Sequence, residues 1–192
     1  MKKQPEVTAR TRKELMESFW QLYCEKGMEK VTVGSVTKMA KLNRGTFYEY
    51  FNDLYDLLYQ MEDDLLKELQ AQIKQAFSNG IPRNFLDFSH ICAHIFSSHD
   101  DKIYILLSER GDPAFASKLK GKLYPTLLEM FPFSEQDIKL EYLTTFAFSA
   151  MVGMLNLWYA EGKKIGIEEL FQTMQSLVAN GLLGYTKKNI FE

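Results

Sequence analysis

Asn43-Arg44-Gly45-Thr46-Phe47-Tyr48-Glu49-Tyr50-Phe51 is the stretch on which the fold turns. Asn43 is a helix-capping residue type, and Phe47 and Phe51, four apart, mark the inward face of a short helix. Arg44, Thr46, Tyr48, Glu49 and Tyr50 are left to its outer side and N-terminus. Upstream, Thr32 can cap a second short helix carrying Val33, Val36 and Met39, with Lys41-Leu42 in the turn between the two. Further out, Leu15, Phe19, Leu22 and Tyr23 recur at helical spacing between Thr8 and Glu25, and Gly27 supplies the stop. Three helices, of which the second and third are short and tightly joined, make a helix-turn-helix, whose third helix lies in the DNA major groove. Arg44 can reach guanine O6 and N7 bidentately, and Thr46 and Tyr48 suit phosphate oxygens. Gly45 lets the backbone approach the duplex, and the helix N-termini at Thr32, Ser35 and Asn43 add dipoles that favour phosphate. Lys41 and Tyr50 complete the expected DNA-binding set.

The whole chain has 192 residues, 46% hydrophobic and 14% aromatic, enough for a full core and too apolar for disorder. Its net charge of −2 excludes a uniformly basic coat for nucleic acid. The charge is split, however. Residues 1–52 carry 10 Lys/Arg against 6 Asp/Glu, and the rest 13 against 19, so a basic head precedes an acidic body. Cys24 and Cys92 stand alone in apolar helical patterns, which fits a reducing cytoplasm and no disulfide framework. The basic N-terminus is not followed by the apolar core and small-residue cleavage site of a signal peptide, so none is expected. Tyr142 to Ala160 lacks any charge, but Thr144, Thr145, Ser149, Gly153 and Asn156 argue for a helix buried on most sides and against a membrane span.

Beyond the head, the period stays helical and no strand alternation is sustained. Asp53 and Asp56 open a long amphipathic fourth helix through Leu57, Leu65, Leu69 and Phe77, ended by Asn79-Gly80 and Pro82. Phe85 to Ile95 marks a fifth, Ile103 to Leu107 a sixth, and Gly111-Asp112-Pro113 leads into a seventh from Ala114 towards Glu129. After Pro132, Ser134 can cap the eighth, which holds the charge-free stretch. Ile167, Leu170, Phe171, Met174, Leu177, Val178 and Leu182 form the ninth. The expectation is an all-α protein of about nine helices, with a DNA-binding head over residues 1–52 and a helical body over 53–192.

Gly27-Met28-Glu29-Lys30-Val31-Thr32-Val33, then Asn43 to Phe51, then Asp56-Leu57-Leu58 resemble the DNA-binding domain of the TetR family of bacterial transcriptional regulators. The resemblance spans roughly Thr8 to Leu58. Ser108 to Phe115 and Asn180-Gly181-Leu182 resemble members from low-GC Gram-positive bacteria. The head departs from the family pattern at Val36-Thr37, where Ile-Ala is usual, at Lys41, where Gly is usual, and at Leu54, where a phosphate-binding Lys is usual. Lys41 or Tyr55 would then supply that phosphate contact. The resemblance implies that residues 53–192 form a ligand-binding and dimerisation body, and that the protein is a homodimeric repressor on a palindromic operator in double-stranded DNA, released by an unidentified small-molecule effector.

A single short recognition helix reads too few bases alone, which also calls for a dimer. Ser149 and Gly153 on the eighth helix would allow close approach, and Leu170, Met174 and Leu177 on the ninth would complete the interface. Phe88, His90, His94, Tyr104, Phe146, Met154 and Trp158 are the expected lining of an apolar effector site. Asp87, His90 and His94 share a face at spacing that can ligate a metal, although paired histidines on such a helix more often hydrogen-bond in a pocket or core, and no cofactor or metal is expected. No HExxH, GxxxxGK[ST] or GxSxG occurs, so catalysis is not expected. Two other classes stay open: a helical adaptor that never touches DNA, and a DNA-binding regulator controlled by a protein partner or metal ion in place of an apolar ligand.

Overall fold

The computed structural model describes residues 5–78, 80, 85–130 and 138–186, and these residues are helical and irregular, with no strand among them. Asn79, Pro82, Pro132 and Ser134, expected at helix ends, lie outside the described residues. Helices α1 (Pro5–Lys26), α2 (Val33–Met39), α3 (Arg44–Tyr48) and α4 (Leu54–Ala76) are followed by α5 (Phe85–Ser97), α6 (Asp100–Leu107), α7 (Phe115–Met130), α8 (Ile138–Ala160) and α9 (Ile167–Thr186). The order matches the sequence pattern, with one added 3₁₀ turn at Met28–Lys30, entered through Gly27 at φ 74°. None of the described helices is long and apolar enough to cross a membrane.

Two compact units form, Met1–Leu65 and Leu66–Glu192. The division therefore falls inside α4 and not before it, as the composition had suggested at residue 52. The reason is packing. Leu57 and Leu58 are buried, and Arg12 on α1 holds α4 by donating to Gln60 Oε1 at 3.0 Å and Asp64 Oδ2 at 2.9 Å. In the first unit Leu15, Phe19, Val36, Phe47, Phe51 and Leu57 are almost fully buried. Each such side chain contributes about 1.5–3 kcal/mol. That burial is what sustains α2 and α3, because helices of seven and five residues do not form alone.

In the second unit α5 lies along α9, α6 meets α5, α7 and α8, and α8 meets α9. Phe96 of α5 and Phe171 of α9 meet with tilted rings 5.2 Å apart between centres, among a core that includes Ile95, Ile103, Phe115, Leu119 and Leu155. The buried hydroxyls of Thr126 and Ser89 are paired: Gln70 donates to Thr126 Oγ1 at 2.7 Å and Ser89 donates to Gln175. Burial pushes the Cys92 thiol up to about 12, so it stays protonated and unreactive at neutral pH.

Candidate nucleic-acid interface

Both short helices of the head start on side-chain caps. Ser35 N–H donates to Thr32 Oγ1 at 3.1 Å while Thr32 N–H donates to Ser35 Oγ at 3.0 Å, a reciprocal capping box. Asn43 Oδ1 accepts from Thr46 N–H at 2.7 Å and from the Thr46 hydroxyl at 3.1 Å. Thr32, Ser35 and Asn43 thus act as caps, and Thr46 is held by Asn43. Thr37, standing in the buried place of the usual alanine, donates its hydroxyl to Val33 O at 2.9 Å, so the departure leaves no orphaned polar group.

On the outer side, Tyr48 is 59% exposed with its ring edge-on to Phe47, while Gly45 and Arg44 are also exposed. Tyr50 is half-buried against Phe51, and its carbonyl accepts from Gln60, so it is more a strut than a contact residue. Lys41 is exposed in the left-handed region at φ 56°. For a side chain with Cβ that conformation costs about 1–2 kcal/mol. A turn that keeps this strain for a lysine makes Lys41 a candidate phosphate contact. Lys41→Gly is expected to stabilise the head by about 0.5–1 kcal/mol, after glycine's own entropy is counted, yet to weaken DNA binding and lower the salt slope by about 1. Denaturant melts and salt titrations measure the two effects separately; a fall in both stability and affinity would show that the strain is not there.

At the start of α4, Asp56 N–H donates to Asp53 Oδ1 at 2.8 Å, and Asp56 itself accepts from Asn52 N–H at 2.8 Å and Gln60 Nε2 at 3.2 Å. The Asn52 backbone N–H and then the Gln60 amide hold its carboxyl below the ordinary value of 3.8, against the opposing effect of burial. A depressed carboxylate contributes stability above its unfolded value and loses it as pH falls through the folded one. Asp56→Asn is expected to cost about 1 kcal/mol at pH 7, with the gap from wild type closing as the pH drops below about 4. Denaturant melts at a series of pH values check this; a gap constant down to about pH 2 would contradict it.

Residues 83–180 match a TetR C-terminal family described as "Transcriptional regulator C-terminal region". The chain belongs to the TetR family of transcriptional regulators. Among solved structures it is similar to a TetR transcriptional regulator from Streptococcus agalactiae 2603V, 26% identical with a TM-score of 0.65 over 90% of this chain and 96% of that one. The fatty acid degradation regulator FadR from Bacillus halodurans is 18% identical, TM-score 0.68, over 95% and 98% of the two chains. FadR from Thermus thermophilus, a TetR-family repressor solved with lauroyl-CoA, is 19% identical, TM-score 0.56, over 90% and 95%. The last two share the fold. No curated protein matches the chain in sequence. TetR proteins are DNA-binding regulators and not enzymes, so the head is a DNA-binding unit and the body a regulatory one.

The body of this TetR chain does not gather the expected effector-binding residues at one place. Tyr104 and Trp158 each lie against Tyr159, at 4.7 Å and 5.0 Å between ring centres. Trp158 is buried and its indole N–H donates to Ile165 O at 2.7 Å, while Met154, one turn earlier, is half-buried. Tyr159 donates to Asp100 Oδ1 at 2.7 Å, and Lys163 pairs with the same carboxylate. Burial, then Asp100, raise the Tyr159 phenol well above its ordinary value, so it remains a donor. The other residues need correcting. Phe146 is 70% exposed, because it lies about 120° around α8 from Trp158 and so cannot share its inward face. His90 and His94 are exposed on α5, where His90 Nδ1 sits 3.4 Å from Glu168 in a surface pair. Asp87 is exposed too, and no three ligating side chains converge among the described residues. The side chain of Phe88 lies outside the described residues.

The expected dimer residues also divide. Ser149 and Gly153 are exposed on α8, in line with Tyr142, Phe146 and Leu157, which are 75%, 70% and 60% exposed. Leu170 and Met174 are instead buried within a single chain, and Leu177 is half-buried. The α9 stripe is consumed by packing on α5 and α8, which the stripe's width alone did not reveal.

Proposed function

We propose that the protein is a dimeric repressor that sets α3 of each subunit in successive major grooves of a palindromic operator and is released by an apolar effector bound in the body. The observation that carries the DNA reading is the pair of short capped helices presenting Arg44, Gly45 and Tyr48 outward from a closed core. The apolar outer stripe of α8 supports dimerisation, since exposed patches of that kind mark interaction surfaces. The aromatic corner of Tyr104 and Trp158, with Met154 one turn away, is where an apolar part of the effector would sit. The T. thermophilus regulator is solved with lauroyl-CoA, which makes that compound the first to try. An effector shifts operator affinity only by its difference in affinity for the two states.

Selection of bound sequences from random duplex DNA is expected to yield an inverted repeat with half-sites about one helical turn, ~34–36 Å, apart. One acyl compound should then both raise the melting temperature of the protein and lower its operator affinity. No enriched sequence would overturn the DNA reading. Indifference to acyl compounds in both measurements would overturn the effector.

A further inference from the structure

Gly34 lies in the first turn of α2, and its φ is an ordinary one, so the backbone does not require glycine there. Space does. A Cβ at residue 34 would stand 2.8 Å from a terminal nitrogen of Arg44 and 3.6 Å from its Cζ and Nε. The guanidinium of the first α3 residue therefore occupies the space that a side chain on residue 34 of α2 would take. Among the described residues it has no hydrogen bond or ion pair. A cation is not drawn to the positive end of a helix dipole, so shape and not charge holds it there.

We propose that Gly34 is a positioning residue for base recognition: by lacking a side chain it seats the Arg44 guanidinium at the α2–α3 junction, in the orientation from which it reads its base. This rests on the reading of α3 as the recognition helix. A long side chain already placed loses less freedom on binding, and a planar fork of donors gives specificity only if its plane is set. Any Cβ at 34 would push the guanidinium aside. The fold would tolerate that, because the displaced atoms are the flexible end of an arginine.

The test compares wild type, Gly34→Ala, Arg44→Ala and the double variant on a selected operator and on its single-base substitutions. Gly34→Ala is expected to melt no lower than wild type, since alanine is the better helix former. Its preference at the base lost in Arg44→Ala should fall about tenfold, with other positions and low-salt non-specific binding unchanged. In the Arg44→Ala background the same change should do nothing further. Full preference in Gly34→Ala, or an equal loss with and without Arg44, overturns the inference while leaving the recognition helix intact. If Arg44→Ala keeps every base preference, or no operator is selected, the underlying reading fails with it.

Discussion

Gly111→Ala is expected to cost the body about 3–5 kcal/mol, a large part of the stability of an ordinary domain. A Cβ on residue 111 would stand 2.2 Å from Leu106 O and 2.5 Å from Ile105 O. These are backbone atoms of the last turn of α6, and that turn is tied on both sides. Ser108 N–H donates to Tyr104 O at 3.0 Å, Gly111 N–H to Ser108 O at 2.9 Å, and Asp112 Oδ1 accepts from Ala114 N–H at 2.9 Å just before α7. Relief requires unwinding α6 or withdrawing Phe115, which is fully buried. Gly121→Ala is the control, since a Cβ there meets nothing within 4 Å, and it should stabilise α7 by about 0.5–1 kcal/mol. Thermal melts of both variants decide the matter: a Gly111→Ala protein that melts with wild type would mean that the turn at Gly111 does not approach α6 so closely.

How far the sequence could be read depended on which signals are local. Thr32 and Asn43 were recognisable as caps because a cap acts on backbone groups within three residues, and both are seen to do so. The helices were recognisable for the same reason, each carrying its own apolar period. Contacts across space were not. Nothing near Arg12 in sequence indicates that it reaches Gln60 and Asp64. Nothing at Gly34 indicates that its missing side chain serves a residue ten positions on. The charge-free α8 failed for a different reason. Without a polar face its inward side has no phase, so Phe146 and Trp158 looked equivalent although one is exposed and the other buried. In α9 the stripe was evident but not its partner, and Leu170 and Met174 are satisfied within the chain. Lys41 shows the converse, where a residue unlike the family's usual glycine keeps the left-handed turn and adds a cation.

Gly153→Trp is expected to leave the single chain folded and to abolish tight operator binding. Gly153 is exposed and a Cβ there meets no atom within 4 Å, so an indole has room in one copy. Were a second copy to cover the α8 stripe, the space over Gly153 would be the closest point of approach, flanked by Ser149 and Ala150 and edged by Phe146 and Leu157. An indole wedged into such a contact forces the helices apart, and side chains as small as those of Ser149 and Ala150 cannot recover that volume by rotating. The separated subunits would each hold one half-site. Linking two half-site contacts multiplies affinity by about 10²–10⁴, and that factor is what the variant should lose. Sedimentation separates the outcomes: wild type dimeric at micromolar concentration, Gly153→Trp monomeric with unchanged helix content. Because Leu170 and Met174 are already buried in each chain, the apolar contact must come mainly from α8, so Leu157→Glu on the same stripe should act in the same direction. A wild type that sediments as a monomer, or a Gly153→Trp protein that remains a dimer, would place the interface elsewhere and remove the two-groove geometry from the mechanism.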